Sequence, residues 1–124
     1  MKTLKQYLTE RLIIKKSSYK YFPETKEELR EIIKQRIDKE GPEVNLNDID
    51  VSNITDMSYL FKKTGFNGNI SNWDVSNVTN MRDMFYDCKL FNQNISNWNV
   101  SKVKNSFHTF FKCSIEEKYK PHLK

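Results

Sequence analysis

The chain has 124 residues and a mass of 14.9 kDa, the size of one domain or a short repeat array with caps. Eight Phe, six Tyr and two Trp set it apart from disordered chains, and no apolar run approaches the ~20 residues that cross a bilayer. The formal charge of +5 is spread out: residues 1–45 hold 11 basic and 8 acidic side chains and residues 46–113 hold 7 and 6, which is not the basic stripe with interleaved aromatics of a nucleic-acid binder.

In chain order, residues 1–23 read as an amphipathic segment and a basic linker. Leu4, Tyr7, Leu8 and Leu12 fall at helical spacing, and the linker ends at Pro23. No apolar core with a small-residue cleavage site stands at the start, so the expected location is intracellular. Residues 24–45 contain a helix over 25–40. Thr25 is its N-cap and Glu28 lies three residues on, while Leu29, Ile32, Ile33 and Ile37 form one apolar stripe that stops at Gly41-Pro42. This helix reads as a cap on residues 46–113.

Residues 46–113 are a repeat. FNGNISNWDVSNVTNMRDMFYDC, Phe66 to Cys88, is rewritten as FNQNISNWNVSKVKNSFHTFFKC, Phe91 to Cys113, with 13 of 23 positions identical at a step of 25. A weaker first copy, DIDVSNITDMSYLF, precedes them at a step of 24. Such a period denotes units that bury a core only against their neighbours. Ile70, Trp73 and Val75 among polar residues predict a short strand. Met81, Met84, Phe85 and Cys88, at i, i+3, i+4 and i+7, predict one helix face. The expected fold is therefore α/β: a short leucine-rich-repeat-like solenoid of about three strand-turn-helix coils behind an N-terminal helical cap. In the last copy Phe107, Phe110 and Phe111 read as an apolar face one residue out of register, and residues 114–124 as a polar C-terminal cap.

The unit FNxNISNWDVSNVTNMxxMF resembles the 25-residue repeat of the BspA-like leucine-rich-repeat family, common in mycoplasma lipoproteins and in surface proteins of gut and oral bacteria. Trp73, Asp74, Val75, Ser76, Val78, Met81, Met84 and Phe85 carry the resemblance. It implies an α/β solenoid and adhesion or protein binding. The first ten residues, MKTLKQYLTE, resemble the capsid-targeting peptide of proteins packaged in large tailed phages, with Leu8, Thr9 and Glu10 at the processing site. That resemblance implies a chain packaged in the virion interior and delivered to the host cytoplasm, as an alternative to a bacterial binding module.

No residues assemble into a catalytic set, and no cofactor or metal site is expected. Cys88 and Cys113 occupy one repeat position and read as small apolar core residues without zinc-ligand spacing. Asp50, Asp74 and Asn99 form one column, read as Asx residues that fix turns. The columns Asn67/Asn92, Asn69/Asn94 and Asn72/Asn97 read as satisfying backbone groups between units, and Trp73 and Trp98 as a core ladder. The function expected is a non-enzymatic protein-interaction module with an unidentified protein partner, no nucleic acid and no membrane span. Its candidate contacts are Asn72, Asp74, Ser76 and Asn77, with Asn97, Asn99, Ser101 and Lys102 one unit on.

Overall fold

A computed structural model describes residues 3–6 and 18–124. Tyr7, Leu12 and the processing site Leu8, Thr9 and Glu10 lie outside the described residues. Leu4, Lys5 and Gln6 are helical, and Thr3 and Gln6 cap each other: Gln6 N–H donates to Thr3 Oγ1 at 3.1 Å and Thr3 N–H to Gln6 Oε1 at 2.8 Å.

The helix Lys26–Glu40 forms where its signals place it. Thr25 Oγ1 accepts from Glu28 N–H at 3.1 Å, satisfying a donor that has no partner inside the helix. Gly41, at φ 95°, ends the helix in a conformation other residues rarely adopt, with its N–H on Ile37 O at 2.8 Å. Leu29 and Ile33 are buried, and Ile32 and Ile37 pack half-buried against the same core. Arg36 fixes the helix to the next segment, donating to both oxygens of Asp48 at 2.9 and 3.1 Å and also to Glu40.

The repeats do not form the expected α/β solenoid of strand-turn-helix coils. Beyond this helix, the described residues hold a 3-10 turn, Glu117–Tyr119, and isolated parallel bridges of Tyr21 with Ile49, Asp56 with Asn80 and Asn80 with Asn105. The expected strand around Trp73 is two consecutive Asx turns. Asn69 Oδ1 accepts from Ser71 N–H and Oγ, Asp74 Oδ1 from Ser76 N–H and Oγ, and Trp73 N–H and Val78 N–H close on Ile70 O and Val75 O. Backbone donors engaged locally are not available to a sheet ladder.

The expected helix 81–88 is replaced by a run of turns whose donors alternate. Met84, Tyr86 and Cys88 N–H bond three residues back, to Met81, Asp83 and Phe85 O. Met81, Asp83, Phe85 and Asp87 N–H instead bond the next unit, at Asn105, Phe107, Thr109 and Phe111 O, over 2.8–3.0 Å. Repeat one does the same through Met57, Tyr59, Phe61 and Lys63 to Asn80, Arg82, Met84 and Tyr86. Every second turn needs a positive φ, found at Tyr59, Lys63, Asp83, Asp87, His108 and Lys112. A helix would close all its bonds within one unit. Here half the donors join neighbours, which offsets the left-handed residues at about 1–2 kcal/mol each.

The helical spacing nonetheless named the buried face, because Met81, Met84, Phe85 and Cys88 are all fully buried. Columns of like residues stack along the core. Phe61, Phe85 and Phe110 follow one another at 5.3 and 5.5 Å, Phe66 and Phe91 at 6.1 Å, and Trp73 and Trp98 at 6.4 Å. The last repeat is in register rather than shifted: Thr109 is buried at the place of Met84 and Phe110 stacks at the place of Phe85. Phe107 and Phe111 are thereby left outside.

Candidate functional site

The candidate contacts lie along the turn surface, and most of their polar atoms serve the stack. Asp74 and Asn99 hold their own turns, as Asp50 does: Ser52, Ser76 and Ser101 N–H donate to Asp50, Asp74 and Asn99 Oδ1 at 3.0–3.1 Å. Asn77 Nδ2 donates to Ser52 O at 2.9 Å, and its Oδ1 receives Lys102 Nζ at 3.2 Å. Asn72 gives its N–H to Asn47 Oδ1. Asn72, Asn77, Asn97, Asn99, Ser101 and Lys102 are exposed, whereas Asp74 and Ser76 are half-buried. Six of the eight thus face solvent across two units, which Lys102 Nζ joins at Asn77 Oδ1.

The asparagine columns divide in two. Asn67 Oδ1 accepts from Asn92 N–H and Asn92 Oδ1 from Glu116 N–H, tying unit to unit. Asn69 and Asn94 instead hold turns within their own units through Ser71 and Ser96. The indoles of Trp73 and Trp98 are buried, their N–H groups on Leu46 O and Ile70 O.

Both cysteines are free thiols, Cys88 buried and Cys113 half-buried. Burial pushes the Cys88 thiol up to about 11 and raises that of Cys113. A protonated, enclosed thiol is a poor nucleophile. At Asp56 burial pushes the carboxyl up, but hydrogen bonds from Ser58 and the charge of Lys26 outweigh it and leave the group below its usual range. Among the described residues, no group of three or more His, Cys, Asp or Glu is placed to hold a metal ion.

Two features escaped the sequence reading. One is a cleft of about 540 Å³ between the helix and repeat one, with Ile33, Ile37, Leu60 and Phe66 at its floor and Arg30 and Lys34 at its edge. The other is an aromatic cluster on the outside of the last repeat. The ring of His108 lies between those of Phe107 and Phe111, at 3.8 and 4.4 Å, and Phe111 stacks on Tyr86 at 5.7 Å. Phe107 is 54% and Phe111 45% exposed. Beneath them, buried Asp83 Oδ1 makes no hydrogen bond among the described residues and faces His108 Nδ1 at 3.8 Å. The signal was present in the columns. Phe107 stands where repeat two has Arg82, and Phe111 where it has Tyr86, so apolar rings replace solvent-side residues.

No curated protein and no solved structure matches the chain. A family model matches residues 28–119, a span that takes in most of the helix and all three repeats, and the chain belongs to the family described as Mycoplasma protein of unknown function, DUF285.

Proposed function

We propose that the chain is a non-enzymatic protein-interaction module of the BspA-like kind, binding through the exposed strip Asn72, Asp74, Ser76, Asn77, Asn97, Asn99, Ser101 and Lys102. The observation that carries this reading is the state of that strip. Its exposed side chains reach solvent from turns whose backbone is already held by Ser76 N–H to Asp74 Oδ1 and Ser101 N–H to Asn99 Oδ1, so little ordering entropy is lost when a partner docks. Amide and hydroxyl groups at fixed spacing also suit the polar, wet contacts of reversible protein interfaces. Residues that hold the turns, Asp74 and Ser76, act as positioning groups, and the exposed Asn97, Ser101 and Lys102 make contact.

The test compares the wild-type chain with the combined variant Asn97→Ala, Ser101→Ala, Lys102→Ala in cross-linking capture from producing cells. Loss of a specific cross-linked species, with unchanged melting, supports the strip. An identical set of captured proteins from both chains removes it.

A further inference from the structure

The two ends of the stack differ. Alternate N–H groups of repeats one and two bond alternate carbonyls of the unit that follows. The helix Lys26–Glu40 precedes repeat one in the chain and packs beside it, with Lys26 Nζ on Ser58 Oγ at 2.9 Å and Asp56 Oδ2 at 3.2 Å. That end of the stack is therefore packed against the helix. At the other end, the positions equivalent to Met81, Asp83, Phe85 and Asp87 are Ser106, His108, Phe110 and Lys112. Their N–H groups make no hydrogen bond among the described residues. Residues 114–124 fold alongside, with Lys120 Nζ 5.7 Å from the centre of the Phe110 ring, and accept from none of these four N–H groups. Ile95 N–H bonds Tyr119 O, Ser106 Oγ reaches Lys124 O, and a cleft of about 420 Å³ stays open between Phe110 and the segment Lys120–Leu123.

An edge of unpaired backbone donors templates pairing with another chain, and soluble proteins commonly blunt such edges with charge or cover. This edge carries Lys112 and is flanked by the exposed rings of Phe107 and Phe111. The segment itself is basic: between Cys88 and Ile115 the chain carries Lys89, Lys102, Lys104 and Lys112 and no Asp or Glu, and the carboxylates beside it are those of Asp83, 3.8 Å from His108, and Glu117 in the adjoining cleft.

We propose that the edge Ser106–Lys112 is a docking site for an acidic peptide segment of a partner protein. The segment adds as the next unit would. Its alternate carbonyls accept from the N–H groups of Ser106, His108, Phe110 and Lys112, its apolar side chains lie on Phe107 and Phe111, and its carboxylates face Lys104 and Lys112. The repeats themselves supply the geometric precedent, since the same donors one unit earlier each find a carbonyl within 3.0 Å. A polypeptide fits better than a nucleic acid because the spacing of the donors is that of alternate residues along a chain. This rests on the protein-interaction reading and assigns it a second surface, separate from the exposed polar strip.

The probe is a synthetic peptide of residues 79–88 with Cys88→Ser, which bears Arg82, Asp83 and Asp87 and the carbonyls that repeat one binds. The control is the basic peptide 104–113. Titration of the full chain followed by amide NMR should shift the Ser106, His108, Phe110 and Lys112 signals and slow their hydrogen exchange at least tenfold, with the acidic peptide binding at least tenfold tighter. Phe107→Arg with Phe111→Tyr, the residues of repeat two, should weaken binding about tenfold without lowering the melting temperature. Lys104→Glu with Lys112→Glu gives a second, surface-only test of the charge match. Unshifted amides, equal binding of both peptides, or shifts produced only by an oligonucleotide overturn the proposal. So does concentration-dependent pairing of the chain with itself through these amides, which would assign the edge to a second copy. Loss of peptide binding by these variants, with capture through Asn97, Ser101 and Lys102 intact, separates the edge from the strip.

Discussion

Trp98 stacks on Trp73 one repeat earlier, ring centroids 6.4 Å apart and planes 5° from parallel, and each indole N–H donates to a carbonyl of the preceding unit. The pair joins packing and hydrogen bonding at one place. Trp73→Phe keeps an aromatic ring but removes the donor to Leu46 O, and should cost about 1–2 kcal/mol. Trp73→Ala also opens a cavity beside Phe61, and should cost about 3–5 kcal/mol. Urea unfolding of both variants checks the ranking; a Trp73→Phe chain as stable as the wild type would mean that the hydrogen bond contributes nothing.

Gly68 and Gly65 should respond oppositely to alanine. A Cβ on Gly68 would lie 2.0 Å from Val44 O and 2.6 Å from the Phe66 ring, both fixed by the core, whereas a Cβ on Gly65 meets only Leu90 Cδ1 at 3.8 Å. Gly68→Ala should therefore lose at least ~2 kcal/mol through forced displacement of the chain. Gly65→Ala should be neutral or slightly stabilising. Thermal melting of the two variants decides it, and a stable Gly68→Ala chain would show that residue 44 is free to move.

Adjacent lysines test the alternating turn. Lys63 has φ 58° and donates its N–H to Tyr86 O, while Lys62 closes a turn on Tyr59 O. Lys63→Gly relieves a left-handed residue and should gain roughly 0.5 kcal/mol after glycine's own backbone entropy is subtracted. Lys62→Gly relieves nothing and should lose roughly 0.5–1 kcal/mol. Opposite signs in chemical denaturation are expected; the same sign in both would contradict the backbone described for repeat one.

Stability should fall at both extremes of pH for identifiable reasons. The Cys88 thiol is raised from 9.0 to about 11, so its contribution is complete below pH 9 and is lost as pH climbs through 11. Cys88→Ala should flatten that alkaline limb. The Asp56 carboxyl lies below its ordinary 3.8, so its contribution is complete above that value and is lost as pH falls through the depressed one. Asp56→Asn should flatten the acid limb. Thiol labelling at pH 8 should modify half-buried Cys113 first and Cys88 only on unfolding; equal rates would place Cys88 in contact with solvent.

The sequence by itself determined the repeat, its period and its buried columns, because a step of 25 brings Trp73 to Trp98 and Met81, Met84 and Phe85 to one side of whatever backbone carries them. It determined the helix Lys26–Glu40 as well, since Thr25, Glu28 and Gly41 act within a few residues of chain. Only the tertiary structure decided what that backbone is. A spacing of i, i+3, i+4 and i+7 is shared by a helix and by a run of four-residue turns, and the choice depends on where the N–H groups of Met81, Asp83, Phe85 and Asp87 find acceptors. Those acceptors belong to the next repeat and are invisible to local periodicity. The same dependence left the N–H groups of Ser106, His108, Phe110 and Lys112 without partners among the described residues, and no pattern in residues 106–112 could have announced it: an edge exists only where a neighbour ends.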